Sequence, residues 1–374
     1  MAARTEIITS LDALEALQPA WAELHGASGG GPFSSMDWML AWTAAFGSEA
    51  VPRIGCAWRD GQLTAALPLG LKREPLWRGG PRLRKLSMLC SNRAGFHDAL
   101  AVPGHEADAA ALLEEMLAAR DCDVADLAPM RAAGAFGWVA AAHHGGHLRS
   151  RQRQELRAAL CRHDDGLEAC LARRSRKFRR LLRAGHRALQ QREHEILTAD
   201  RPGGRADRIL DGVLALSARK ARLGTGGGSS QRTRVFFEEL WRRLSARGRM
   251  VLHLLTIDGR PAASSLCAEA GSISYRLALD FDVTHGRVSP GRIMAWRGIE
   301  TAVARGLKAS NTLRSTQFLD HLGDSYETFH RLRICRRYRR ADLWLAVREL
   351  LRPVGQKARK LQQLAPRKNS AFVG

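Results

Sequence analysis

The sequence predicts an α/β (α+β) fold with more than one domain, and three observations carry that prediction. Apolar runs that end at turn residues alternate with helical periodicities, which is typical of mixed α and β packing. The chain has 374 residues, a length that favours two compact domains. Hydrophobic residues make up 45% of it and charged residues 26%, which excludes collagen-like, wholly disordered and disulfide-scaffold proteins.

The N-terminal part contains both helix and strand signals. Apolar residues at three- and four-residue spacings predict a helix from Leu11 to Leu24, and a second helix has an aromatic stripe of Trp38, Trp42 and Phe46. Asp60-Gly61 between two apolar runs predicts a β-hairpin. The remaining elements predicted here are strands at 83–89, 126–130 and 137–142 and a helix at 107–119.

A polar, arginine-dense stretch follows, with nine Lys or Arg and no acid between Leu171 and Arg192. We interpret 148–195 as a basic helical arm between two domains, because its few apolar residues form one stripe. Two helices, 206–223 and 235–247, then lead into an antiparallel meander of three strands, 250–257, 262–268 and 273–280. The predicted units are therefore 1–147, 148–195, 196–345 and a basic C-terminal tail, 346–374.

The charge of the chain is strongly asymmetric. Basic residues number 59 against 37 acidic residues, a formal net charge of +22. Residues 1–147 hold 12 Lys or Arg against 16 Asp or Glu, which leaves 47 against 21 for residues 148–374. Such a basic half favours an anionic cofactor, a nucleic acid or an anionic membrane surface as partner.

Cysteine usage and the N-terminus bear on the compartment. The seven cysteines are an odd number without a C-x-x-C pair, which favours a reducing compartment and no disulfide framework. Neither a signal peptide nor an apolar run of membrane-spanning length is present, so we expect a cytoplasmic protein, with peripheral attachment to the inner membrane as an alternative. His143, His144 and His147 lie close together but lack the spacing of a zinc site, so no metal is predicted.

The strongest candidate site follows the meander. The third strand leads through a loop into a helix that begins near Pro290, and a helix start offers free N–H groups and a positive dipole end to a phosphate. Candidate phosphate-binding residues in this turn are Arg287, Val288, Ser289, Gly291 and Arg292. On the same residues an alternative stays open, in which Ser289 only caps the helix and Pro290 forms its first turn.

The order of several motifs resembles a known family. They are P-F-S-S-x-D-W-x-x-A-W at 32–42, S-R-K-F-R-R-L-L-R at 175–183, L-x-I-D-G-R-P-A-A at 255–263, and a Tyr275 strand that runs through D-F-D to S-P-G at 289–291. Together they resemble the CelD-like branch of the GNAT acyltransferases, which is related to the Fem-type transferases. The resemblance implies two GNAT-like domains in tandem, with mixed central sheets flanked by helices and the acyl-donor site in the second domain.

The resemblance implies acetyl-CoA or another acyl-CoA as co-substrate, with Val288 to Arg292 at the donor phosphates. Transfer to an amine needs a base, and Asp282 and His285 beside the turn are the candidates. The sequence departs from the family pattern at Asn311–Phe318, where Asn311 stands in place of an Asp and no Tyr-Lys follows.

Three functions remain open on these residues. The first is an acyl-CoA-dependent N-acyltransferase that acts on an amine of a sugar, an amino acid or a lipid-linked intermediate. The second is a Fem-type transferase that uses aminoacyl-tRNA, in which the basic half binds tRNA phosphates. The third is a non-catalytic adaptor in polysaccharide biosynthesis, held on an anionic membrane by basic segments such as 331–368.

Overall fold

The computed structural model describes residues 3–75, 82–132, 135–141, 148–222 and 231–336, together with 339, 342 and 343. Its strands are β1 Arg4–Ile8, β2 Val51–Arg59, β3 Gln62–Pro75, β4 Arg82–Met88, β5 Leu100–Ala101, β6 Val124–Arg131, β7 Leu148–Arg162, β8 His194–Ala199, β9 Met250–Ile257, β10 Arg260–Ala270, β11 Ile273–Phe281, β12 Ala309–Asn311 and β13 Ser325–Arg336. Its helices are α1 Leu11–Ala16, α2 Gln18–Ala27, α3 Met36–Phe46, α4 Glu106–Ala118, α5 Phe136–Ala141, α6 Leu167–Ala172, α7 Arg176–Gln190, α8 Gly204–Arg222, α9 Gln231–Ala246 and α10 Pro290–Ala304.

The predicted mixed α/β architecture with two similar halves is confirmed, and the same order of elements occurs twice. Each half runs from an edge strand through helices into a three-stranded meander, then a helix, a strand parallel to the last meander strand, and a long final strand. β4 and β6 form the parallel pair of the first half, and β11 and β12 form that of the second. Both hairpin turns, Asp60-Gly61 and Asp258-Gly259, have the positive φ angles that the Asp-Gly signal predicts.

The two halves exchange their final strands. β7, which ends the first half, pairs with β12 of the second half, while β13, which ends the second, pairs with β6 of the first. β7 and β13 also pair with each other from Leu148↔Arg336 to Leu160↔Ser325. The described strands therefore form one continuous thirteen-stranded sheet, in which the central strands belong to both halves.

The structure differs from the sequence prediction in two segments. Residues 148–162, expected as part of a helical arm, form strand β7, and helix begins only at Leu167. Alternating half-buried and exposed residues there give a two-residue period, which the abundance of arginine concealed. Residues 137–142 were predicted as a strand, but Phe136–Ala141 is helix α5, packed against α4. The tail 346–374 lies outside the described residues.

A core shared by both halves covers one face of the sheet. It combines buried residues of α2 and α3 with those of α8 and α9, and Trp38 of α3 meets Phe236 of α9 with ring centroids 5.4 Å apart. The opposite face has two separate cores, one under α4 and α5 and one under α6, α7 and α10. The predicted aromatic stripe is therefore core, and it joins the halves.

A buried polar network also joins the halves. Arg131 of β6 lies 3.4 Å from Asp98 and 3.1 Å from Glu327 of β13, and it donates a 2.9 Å hydrogen bond to the hydroxyl of Tyr275. Burial raises the pKa of Tyr275 to about 12 and also raises the pKa of Glu327. One cation thus compensates two poorly solvated carboxylates from different halves.

Asn311 completes this network, at the position where the resemblance implied an Asp. Its side-chain amide donates a 2.5 Å hydrogen bond to Glu327, and its side-chain oxygen accepts one from the backbone N–H of Leu313. An Asp at this position would place a second carboxylate against Glu327. The amide therefore suits a neighbourhood that already contains a glutamate, and it holds the turn at Leu313, whose φ is +59°.

We expect Arg131→Gln to lower the free energy of unfolding by about 3 to 5 kcal/mol, because it leaves Asp98 and Glu327 buried without their cation. Arg53→Gln is the matched control, since Arg53 pairs with Asp121 at 3.1 Å in a half-exposed site and should lose at most about 1 kcal/mol. Chemical denaturation measures both. Equal losses in the two variants would contradict the role given to Arg131.

We expect Asn311→Asp to destabilise the protein by about 1 to 3 kcal/mol at pH 8 and by less at pH 5, because one shared proton relieves the repulsion between Asp and Glu327. Asn92→Asp is the control, since Asn92 makes the same kind of contact, at 2.8 Å, to the more exposed Glu49. Thermal unfolding at both pH values tests this. A deficit that does not depend on pH would count against it.

Candidate active site

The parallel pair of the second half opens into a cleft. β11 and β12 pair only over Ile273↔Ala309, Ser274↔Ser310 and Tyr275↔Asn311, and β11 then continues for six residues while the chain after Asn311 turns away. Beyond Tyr275, β11 therefore has β10 on one side and no described strand on the other. Such an edge presents free backbone N–H and C=O groups to a ligand.

The corresponding cleft of the first half is filled by its own chain. β4 and β6 also pair over only three residues, from Lys85↔Val124 to Ser87↔Asp126. Beyond this point His97 bridges to Met130, and its backbone exchanges hydrogen bonds of 2.7 and 2.9 Å with Pro129 and Arg131. The second half therefore has the open cleft, where the sequence placed the donor site.

A cavity of about 500 Å³ occupies the open cleft and extends to the first half. Residues 276–281 of β11 and several residues between Thr312 and Leu319 form one side of it. Helices α8 and α9 and two segments of the first half form the rest. Its wall includes Trp38, Arg93, Lys220, Phe237, Asp280 and Phe318.

Helix α10 begins without a side-chain cap. Ser289 precedes it in a left-handed conformation, with φ +53°, and its hydroxyl donates to the carbonyl of Gly286 and makes no bond to the helix N–H groups. Pro290 has no N–H, and no described residue accepts a hydrogen bond from the N–H of Gly291. Ser289 thus lies at the N-cap and Pro290 in the first turn, as the alternative predicts, but the side-chain cap is absent and the helix start keeps an unpaired donor.

The predicted phosphate-binding residues lie together at this turn, but in different environments. Val288 is buried, and its carbonyl packs against Gly185 of α7 so closely that a Cβ there would lie 2.5 Å from the oxygen. Arg292 is half-buried, with its Cζ 5.9 Å from the ring centre of Phe178 and 5.8 Å from that of Phe318. Burial lowers the pKa of Arg292, and no described carboxylate pairs with it. Arg287 is exposed on the loop.

Two phenylalanine rings lie between the turn and the cavity. Phe281 lines the cavity and also covers Gly291, where a Cβ would come within 2.6 Å of the ring. Phe318 lines the cavity and faces Arg292. Phe281 is 41% exposed, so its ring is not part of the packed core. The turn and the cavity are thus neighbours across these rings.

Asp282 and His285, the candidate bases, lie on the loop before α10. The Asp282 carboxylate accepts hydrogen bonds from Arg219 at 2.6 Å and from the backbone and hydroxyl of Thr284. Burial alone would raise the pKa of Asp282, but the bonds from Thr284 and the charge of Arg219 outweigh it and hold this pKa below its ordinary value. His285 is half-exposed at the end of a short 3₁₀ turn.

The sequence already indicated Asp280, in the D-F-D motif beside Asp282 and His285, but it did not single out Lys220 and Arg93 of the cavity wall. Asp280 is buried and accepts a 2.8 Å hydrogen bond from Lys220 of α8, and Arg93 comes from a polar break between strands of the first half. The alternation of β11 places Asp280 and Asp282 on one side, which a pattern can indicate. Arg93 donates its hydrogen bond to Thr233, which lies 140 residues further along the chain, and no local pattern predicts such a contact.

The described residues contain neither a candidate metal site nor a candidate membrane-spanning helix. No cluster of three or more His, Cys, Asp or Glu side chains there could hold a metal ion, and His143, His144 and His147 lie outside them. None of the helices described combines the length and the apolarity that a membrane span requires.

Comparisons with known structures support this reading of the fold. FemX shares 12% identity over 87% of this chain and 96% of its own, with a TM-score of 0.58. L-PGS from Bacillus licheniformis shares 12% over 93% and 97%, with a TM-score of 0.52, and a conserved protein of unknown function from Bacteroides thetaiotaomicron VPI-5482 shares 9% over 90% and 100%, with a TM-score of 0.54. At such identities the likeness establishes the fold alone. No curated protein matches the chain.

A sequence family also matches, over the half that contains the open cleft. Residues 176–321 match the family described as "Acetyltransferase (GNAT) domain", a span from the first residue of α7 to the turn after β12. The GNAT part of the resemblance is thereby confirmed, whereas membership of the CelD-like branch stays a prediction. An enzyme is favoured over a non-catalytic adaptor. Residues 176–321 carry a GNAT acetyltransferase domain, and the protein is an acyltransferase.

Proposed function

We propose that this protein transfers an acyl group from an acyl-CoA to an amine of a sugar, an amino acid or a lipid-linked intermediate. One observation carries the proposal: the open edge of β11 lines a cavity, and the uncapped start of α10 lies next to it, behind the rings of Phe281 and Phe318. A thioester donor with a diphosphate at one end fits this arrangement, because it needs anion-binding groups at one point and an extended path to the reaction centre.

The diphosphate would lie at the start of α10. The free N–H of Gly291 and the unpaired guanidinium of Arg292 supply donors there, and Arg287 adds positive charge. Ser289 and Val288 shape the turn, since the left-handed residue and the packed carbonyl fix the direction in which α10 begins. The pantetheine arm would then follow the unpaired edge of β11, where backbone groups can bond to its amides.

The transfer itself needs no covalent enzyme intermediate. The neutral amine attacks the thioester carbonyl, the new C–N bond forms as the C–S bond breaks, and the proton lost by the amine ends on the sulfur of the leaving thiol or on the base. Orienting two reactants in one cavity supplies several kcal/mol of the barrier. Of the two predicted bases we favour His285, because the carboxylate of Asp282 is already engaged by Arg219 and Thr284.

We expect Gly291→Ala to weaken acetyl-CoA binding by about tenfold or more, because its methyl group would push the Phe281 ring over the free N–H. Gly286→Ala is the control: Gly286 has φ −54°, and an added Cβ meets nothing closer than 3.7 Å. The rise in melting temperature with ligand measures binding, since saturation at a hundred times Kd adds about 2.7 kcal/mol.

Acetyl-CoA and longer acyl-CoAs should both be titrated, because the acyl group is unassigned. No rise in the melting temperature of the unmodified protein with any of them would refute the acyl-CoA proposal. Equal ligand-induced rises in melting temperature in Gly291→Ala and Gly286→Ala would show that the donor does not bind at the start of α10.

A second candidate, transfer from aminoacyl-tRNA, is favoured by the charge of α7. Its apolar side packs on the core, and its six cations are Arg176, Lys177, Arg179, Arg180, Arg183 and Arg187. The neighbouring ion pairs belong to Arg173, Arg174 and Arg192. No described carboxylate pairs with the six, and all of them except the half-buried Arg179 are exposed, so they form a positive surface next to the donor turn.

This candidate predicts that bulk tRNA binds with an affinity that falls steeply with salt. Replacing Arg176, Lys177 and Arg180 together with Gln should reduce the slope of log K against log salt by about 2 to 3 units. A control with Arg53, Arg84 and Arg242 replaced by Gln removes the same charge from paired positions. Identical slopes in both triple variants would leave α7 without a role in tRNA binding.

A further inference from the structure

The first half of the chain supplies one wall of the cavity although its own cleft is filled. Phe33, Trp38 and the segment 92–95 face the open cleft of the second half. The edge of β11 lines the same cavity. If the proposed donor lies along β11, the wall from the first half contacts the acceptor.

Arg93 is the charged group of this wall, and it is held rigidly. Its Nη2 donates a 2.7 Å hydrogen bond to the hydroxyl of Thr233, and its guanidinium stacks 4.8 Å from the ring centre of Phe46. Burial lowers the pKa of Arg93, and its buried Nε has no partner among the described residues.

No described carboxylate forms an ion pair with Arg93. The charge of Glu49 acts on Arg93 from a longer distance, but Glu49 accepts a 2.8 Å hydrogen bond from Asn92 and pairs with Arg232 at 3.2 Å. A half-buried cation without a counter-ion is costly, and a cation fixed at two points beside a cavity is suited to an anionic ligand.

The other charged residues of the cavity wall do not offset the positive charge of Arg93. Asp280 is the one carboxylate among its described wall residues and already holds Lys220. Arg276 donates to the carbonyl of Ala295 and so directs its guanidinium toward α10. Arg314 is exposed at the segment after β12 and adds a further cation. The remaining surface is mainly apolar and includes the aromatic rings of Trp38 and Phe237.

We infer that the acceptor is an amine that also bears an anionic group, a carboxylate or a phosphate, and that Arg93 binds this group. The inference rests on the proposed function and narrows it from any amine to anionic amines. The aromatic wall would contact the uncharged part of the acceptor, and its amino end would point to β11.

The test compares matched acceptors that differ in the anionic group. L-phenylalanine is compared with L-phenylalaninamide, and glucosamine 6-phosphate with glucosamine, using release of free CoA thiol from acetyl- and octanoyl-CoA. We expect kcat/KM for the anionic member of at least one pair to be about tenfold higher or more. The pair that shows the preference identifies carboxylate or phosphate as the recognised group.

Arg93→Gln should remove that preference by lowering kcat/KM for the anionic acceptor about tenfold, chiefly through KM, with little effect on the neutral one. Arg232→Gln is the matched control, because Arg232 also stacks 4.8 Å from the Phe46 ring but is not among the cavity wall residues. Equal rates within both pairs, or equal losses in the two variants, would overturn the inference.

Calorimetric binding of the two anionic probes without a thioester keeps this inference separate from the proposed function. If the unmodified protein binds an anionic probe and Arg93→Gln abolishes that binding, the anionic site is supported even when no acyl-CoA binds. Absence of acyl-CoA binding would then refute only the proposal of an acyl-CoA donor. Failure of both anionic probes to bind, while acyl-CoA binds, would refute the anionic site and leave the donor proposal standing.

Discussion

The early end of one parallel strand pair is the constraint on which the rest of this structure depends. β12 accompanies β11 for only three residues, so from Arg276 to Phe281 the strand has an open edge in the middle of an otherwise continuous sheet. An open edge inside a core is unfavourable unless something fills it, because its polar groups require partners. In the first half the chain at His97 occupies the corresponding place, whereas in the second half the edge of β11 lines a cavity.

The strand exchange braces the sheet around this opening. β7 and β13 cross between the halves, and Arg131, Tyr275 and Glu327 connect the strands on both sides of them. The sheet on either side of the cleft is thereby fixed by contacts that neither half makes alone. One half can then provide the donor turn while the other provides a wall, as the position of Arg93 indicates.

Local patterns predicted the fold well, since amphipathic stripes, Asp-Gly turns and the meander all reflect short-range physics. They failed in β7, because its many arginines obscured the two-residue alternation of burial that is typical of a strand. Of the site, the sequence identified the turn at Ser289 to Arg292, because a strand, loop and helix in that order bring backbone donors together. It could not place Arg93 or Lys220 at the cavity, because that depends on how distant segments pack.

Hydrogen–deuterium exchange of the whole protein with and without acetyl-CoA tests the central claim most directly. The account predicts slower exchange for the amides on the open edge of β11 from Arg276 to Phe281 and at Gly291, with no change around His97 in the filled cleft of the first half. Unchanged exchange along β11, or protection confined to the first half, would contradict it.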